Sequence, residues 1–101
     1  QMAFYIFISS RGWIVEYPEN EENGQADEIA NVMIHVNETL DEPALHALED
    51  GLRQDRGVVS VGHNPRHPHL VMVAYNAAIS RSSSLMAQFP KRGLHAQLVG
   101  L

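Results

Sequence analysis

Six histidines and no cysteine in 101 residues confine any transition-metal chemistry here to imidazole and carboxylate ligands. Neutral imidazole binds Zn, Ni, Cu(II) or Fe without a thiolate. Three of the six, His63, His67 and His69, fall in one proline-containing stretch, Gly62-His63-Asn64-Pro65-Arg66-His67-Pro68-His69, with the spacing H-x3-H-x-H. A loop can fold such a trio around one ion, and His67 and His69 share a face wherever the chain is extended. The same residues also read as a solvated loop between two strands, since short histidine patterns carry little specificity. A second group, Glu38, Thr39, Asp41 and Glu42, offers hard oxygen ligands. It is equally well explained as helix-start chemistry, in which first-turn acids complement the helix dipole for about 0.3–1 kcal/mol each. Asn37-Glu38-Thr39 matches a glycosylation sequon, a chance match in a chain read as having no signal peptide.

Composition narrows the function classes. The lack of cysteine removes disulfides, thiolate metal sites, Fe–S clusters and cysteine nucleophiles. A formal net charge of -5 with seven Lys plus Arg leaves too few cations to neutralise a run of phosphates, so nucleic acid is not an expected partner. At 45% hydrophobic and 19% charged residues the chain fills one core, and its length allows one compact domain with an extension. No apolar run approaches the roughly 20 residues that span a bilayer, and no basic region precedes Ala3 to Ile8, so neither a membrane segment nor a leader is expected. Met2, preceded by Gln1, reads as the native start and the protein as cytoplasmic.

The elements that would position these residues follow from periodicity. Ala3 to Ile8 and Trp13 to Tyr17 are aromatic and β-branched runs joined by Ser9-Ser10-Arg11-Gly12, a hairpin pattern. Glu16 to Glu28 holds six acids and no base, the composition of a solvated linker, and beyond it six acids balance six bases. Val32, Ile34 and Val36 alternate with Met33 and His35, a strand with one aliphatic face. Pro43 suits a helix start, and Leu45, Leu48 and Leu52 recur at helical spacing, with His46, Glu49, Asp50 and Arg53 on the other side and Glu49 placed to pair with Arg53. Gly57 is the expected C-cap. Val58 to Val61 and Leu70 to Tyr75 read as strands, Ser82 to Phe89 as a short helix that Pro90 truncates, and Leu94 to Val99 as a last strand. From Asn31 the order is β-α-β-β-α-β, so the expected fold class is α+β: a ferredoxin-like βαββαβ sandwich with an added N-terminal β-hairpin. The division is 1–29, hairpin and acidic linker, and 30–101, the ferredoxin-like domain.

Residues 31–101 resemble a heavy-metal-associated (HMA) domain of the copper-chaperone and metal-ATPase type. The resemblance rests on Val36 entering the loop, the helix residues Leu45, Leu48, Glu49 and Leu52, on Gly57-Val58 with Val61, on Val73-x-Tyr75, and on Gly93-Leu94-His95-Ala96-Gln97-Leu98-Val99. It implies the fold far more than an activity. The family's Cys-x-x-Cys pair falls on Asp41 and Ala44 here, and a carboxylate with a methyl group cannot supply two thiolates. Tyr75-Asn76-Ala77 stands where the family has Tyr-Asp-Pro, and Pro90 is atypical.

Topology then suggests a further pairing. The first and last strands of the plan are antiparallel neighbours, which sets His35 level with His95 on the open side of the sheet, at the end of the Asp41 loop. With the third strand taken as parallel to the first, the His63 loop falls at the opposite end, and a single six-histidine site is excluded. Met33, Leu70, Met72, Ala74 and Val99 point away from the helices and make that open face more apolar than a solvated one. Either the hairpin covers it, with Phe4 and Trp13 in the contact, or a second copy or another protein does while the hairpin adds strands at an edge, and a homodimer is the preferred reading. No anion-cradling glycine loop with arginine follows the first strand, and no basic-aromatic face exists, so enzyme and RNA-binding readings are set aside. The expected function is a non-catalytic HMA-like interaction or accessory module. The alternatives are a histidine-dependent Zn, Ni or Cu(II) binder using His63, His67 and His69, and an ACT-like regulatory module for a small ligand.

Overall fold

Aliphatic alternation in Ile29–Val36 makes the central strand, β3: Ile34 and Val36 are fully buried on one side while Asn31, Met33 and His35 take the other. The structure, a computed structural model, describes residues 4–18 and 28–99, with side chains for all of these except 4–7 and 16–18. The elements are β1 (Phe4–Ile8), β2 (Ile14–Pro18), β3, α1 (Glu42–Arg53), β4 (Val58–His63), β5 (Leu70–Asn76), α2 (Ser82–Met86), a 3-10 turn at Pro90–Arg92 and β6 (Ala96–Leu98). One six-stranded sheet has the order β1-β2-β4-β5-β3-β6, and every neighbouring pair is antiparallel. The fold is α+β, and β3-α1-β4-β5-α2-β6 with the strand order β4-β5-β3-β6 is the ferredoxin-like plan.

Strand direction corrects one expectation with large consequences. The third strand of the plan, β5, runs antiparallel to β3, with His35 opposite Leu70 and Ile29 opposite Asn76. A helical crossover returns β4 parallel to β3, so the hairpin strand after it must run back. The loop between His63 and Leu70 therefore lies at the same end as the β3–α1 loop, not the opposite one.

The core is built on one side of the sheet. Leu48 and Leu52 of α1, Leu85 and Phe89 pack on Ile34, Val36, Val61, Val71 and Val73, all nearly inaccessible. Glu49 is buried with them. It was expected among the solvent-side residues, yet positions 45, 48, 49 and 52 are one helical stripe, i, i+3, i+4 and i+7. Arg53 instead bonds Asp50 through Nη1 at 3.0 Å. The helix C-cap is Gln54 rather than Gly57, which sits directly before β4. The second helix stops at Met86, and the turn at Pro90 replaces its last part, because proline has no N–H to continue the ladder. Gly93, at φ 73°, ends that turn left-handed. The last strand is confined to Ala96–Leu98.

Strands β1 and β2 pair with each other, and β2 joins β4 through Ile14–His63, Val15–Gly62 and Glu16–Val61. They extend the sheet at its edge, so of the two arrangements weighed for the hairpin, across the open face or added at an edge, the structure has the second. Their turn is closed by the Ser9 amide donating to the Trp13 carbonyl and the Trp13 amide to the Ser9 hydroxyl. Gly12 there has φ 92°, a conformation glycine takes at little cost.

Replacing a fully buried aromatic should dominate any stability scan. Phe89→Ala is expected to cost about 3–5 kcal/mol in urea unfolding, whereas Ile79→Ala, 45% exposed, should stay within about 0.5 kcal/mol. Equal midpoints for the two variants would contradict the placement of the core.

Candidate functional site

The loops that precede β5 and β6 meet on Val36, Asn37 and Glu38, through His69 and His95. The Val36 amide donates to the His69 carbonyl at 2.8 Å, and the Asn37 amide to the His95 carbonyl at 2.8 Å. His69 Nδ1 lies 2.9 Å from the Val36 carbonyl oxygen and 3.1 Å from that of Glu38. A carbonyl only accepts, so Nδ1 carries the hydrogen and, in the neutral ring, the lone pair sits on Nε2. His95 is tied to the same residue: its amide donates to Glu38 Oε1 at 2.8 Å, and its Nδ1 to Oε2 at 2.6 Å. Those two bonds, the ring contact first, hold the Glu38 carboxyl below the usual carboxylate range.

His35 stacks on His69 with ring centroids 5.6 Å apart and planes inclined by 27°. Its Nδ1 is buried and has no hydrogen-bond partner among the described residues. The structure thus brings His35 and His69 together, a pairing the sequence reading missed because it placed the two at opposite ends. The expected His35–His95 pair does not form. His35 lies opposite Gln97 in the β3–β6 ladder, and His95 precedes the strand with its ring on Glu38.

The trio His63, His67 and His69 does not converge either. His63 closes β4 on the helix side, where its Nδ1 meets Oε2 of buried Glu49 at 2.8 Å. His67 is exposed, with its backbone in the turn. His69 belongs to the end of β3. Buried Asn64 directs the chain between them: Nδ2 donates to the Arg11 carbonyl at 3.0 Å, and Oδ1 accepts from the Arg66 amide at 3.0 Å. The helical stripe signals that Glu49 is buried and needs a partner, and the structure supplies His63.

Asp41 caps α1, and its Oδ1 accepts from the Ala44 amide at 2.9 Å. Among the described residues no cluster of three or more His, Asp or Glu side chains is placed to hold a metal.

The open face carries the remaining candidates. Met33 lies opposite Met72, and Leu70 opposite His35, each partly exposed. A concavity of about 300 Å³ is lined by Val15, Ile29, Asn31, Val59, Ser60, Gly62, Met72 and Ala74. Trp13 is partly exposed in the β1–β2 turn, and the Phe4 side chain falls outside those described. No helix among the described residues is long and apolar enough to cross a membrane.

The chain is similar in structure to oxidized MerP from Ralstonia metallidurans CH34, a protein of the HMA-type fold, with TM-score 0.62, 13% identity, and coverage of 70% of this chain and 97% of that one. That likeness shows the fold. No protein-family profile matches the sequence, and no curated protein does.

The Glu38 tie should respond to acid in a defined direction. With its folded value depressed, Glu38 stabilises the 93–95 segment above the ordinary carboxylate range and ceases to as pH falls through the lowered value. In a 1H–15N titration the His95 amide resonance is expected to hold until pH drops below that range, and Glu38→Gln should remove the transition. A midpoint at or above the ordinary value would refute the bond. The cap gives a second expectation: Asp41→Ala should cost about 0.5–2 kcal/mol in chemical unfolding, and Asp41→Asn considerably less.

Proposed function

We propose that this chain is a non-catalytic, HMA-like accessory domain that works through protein contact, and that its open sheet face docks a second copy of the chain. The observation that carries the reading is the chemistry of that face. Both helices pack on the other side, and β1 and β2 lengthen the sheet instead of covering it. What remains is an apolar strip around Met33, Leu70, Met72 and Ala74 with a concavity beside it. None of these residues, nor Asn31 or His35 alongside them, bears a formal charge. A two-fold contact sets each patch against its own image, so a patch without formal charge meets itself without like-charge repulsion. The same lack of charge offers no attraction to a strongly charged partner.

The reading is tested by sedimentation equilibrium of untagged protein in EDTA. Wild type should associate reversibly to dimers, and Met72→Glu should weaken that association by about tenfold or more without changing the far-UV spectrum. A wild-type chain that stays monomeric throughout the concentration series would overturn it.

A further inference from the structure

We propose that the outer edge of β6, with the groove between it and the segment from α2 to Gly93, docks an extended, acidic and apolar segment of another protein, which pairs with β6 as a further strand. This surface is distinct from the open face and does not depend on what covers that face. β6 is last in the sheet order, so one of its sides has no neighbouring strand. The Asn37 amide donates to the His95 carbonyl and the Val99 amide to the Met33 carbonyl, and Gln97 lies opposite His35. In an antiparallel ladder successive residues turn their main-chain groups alternately toward and away from the partner strand. Residues 95, 97 and 99 face β3, and the N–H and C=O groups of Ala96 and Leu98 point outward.

This edge lacks the usual protection. Exposed edges are commonly blunted by charged side chains, proline or a bulge. Ala96-Gln97-Leu98-Val99 has no charge and no proline, and the register of β6 with β3 is unbroken. Leu98 and Val99 are 47% and 53% exposed. The other edge of the ferredoxin-like plan, β4, is already extended by β2. Beside β6 runs a groove of about 560 Å³ lined by Met86, Ala87, Pro90, Leu94, His95 and Ala96. Ala96 and Leu98 lie opposite Val36 and Ile34 and so share the helix side of the sheet with it. A strand added to β6 sends alternate side chains to that side, where apolar ones enter the groove.

Charge selects the occupant. All twelve Asp and Glu residues fall within 1–55, whereas 56–101 hold Arg56, Arg66, Arg81, Lys91 and Arg92 and no acid. Lys91 is exposed and follows Pro90 on the rim of the groove, while the Arg92 guanidinium lies against Gly51 of α1. Glu38, which meets His95, already accepts from that residue's amide and ring. An acidic residue on the incoming strand therefore meets Lys91, and no acid of α2, the Pro90 turn or β6 repels it. A second copy fits less well. Two three-residue strands paired edge to edge bury little area against the roughly 1,200–2,000 Å² of a stable interface, and a two-fold axis would set the same acid-free segment against itself.

The test uses three libraries of N-acetylated, C-amidated hexapeptides with Leu, Ile or Val at alternate positions and Glu, Gln or Lys at the others, titrated into 15N-labelled protein. The Glu library should shift the amide resonances of Ala96, Leu98 and residues 86–94, and bind about tenfold or more tighter than the Lys library. Leu98→Pro removes one outward N–H and leaves the bonds to β3 in place; it should weaken binding by about tenfold. Lys91→Glu, at an exposed position, should invert the order of the Glu and Lys libraries. Met72→Glu, on the open face, should bind as wild type. No shift with any library at millimolar concentration, or shifts confined to residues outside 86–99, overturns the docking site. Equal binding of the Glu and Lys libraries overturns the acidic partner. Self-association that is lost in Leu98→Pro and kept in Met72→Glu assigns the edge to a second copy and overturns the peptide reading.

Discussion

Where β3 leaves the sheet, its backbone groups must find partners outside its own regular ladder, and this requirement organises the whole end of the molecule. The Val36 and Asn37 amides donate to the carbonyls of His69 and His95, and the Val36 and Glu38 carbonyls accept from the His69 ring. Leaving a buried backbone group unpaired costs about 1–3 kcal/mol, so several such groups on three consecutive residues would weigh heavily in a domain of this size. Histidine suits this position because its ring reaches two carbonyls at once and keeps a second nitrogen in reserve. The loops that follow β4 and precede β6 are thereby fastened to the loop that precedes α1.

That fastening explains which parts of the structure were readable in the sequence. Strand and helix identities follow from residue-level periodicity: Val32, Ile34 and Val36 alternate, and Leu45, Leu48 and Leu52 step by helical turns. The β-α-β-β-α-β order and the ferredoxin-like plan come directly from that pattern. Direction comes from connectivity and not from alternation: a helical crossover followed by a hairpin requires β5 to run back, and taking it as parallel to β3 was enough to separate His35 from His69. The loop histidines failed for a related reason. His63 is the last residue of β4 and inherits the core-facing parity of Val61, whereas His69 lies beyond the turn at Pro65–Pro68 and answers to β3. Sequence spacing measures distance along the chain and says nothing about a face that the chain crosses between two residues.

Asp41 and Ala44, which the sequence resemblance would set at a pair of thiolates, form a helix cap in this structure. Here the Asp41 carboxylate accepts the Ala44 amide, which satisfies one of the unpaired donors of the first helical turn. The same three-residue spacing serves either role because it is the spacing of an N-cap and its N3 amide. Nothing in the core of Ile34, Leu48, Leu52 and Phe89 depends on which role is filled, and a likeness to MerP at 13% identity is consistent with a fold kept by packing alone.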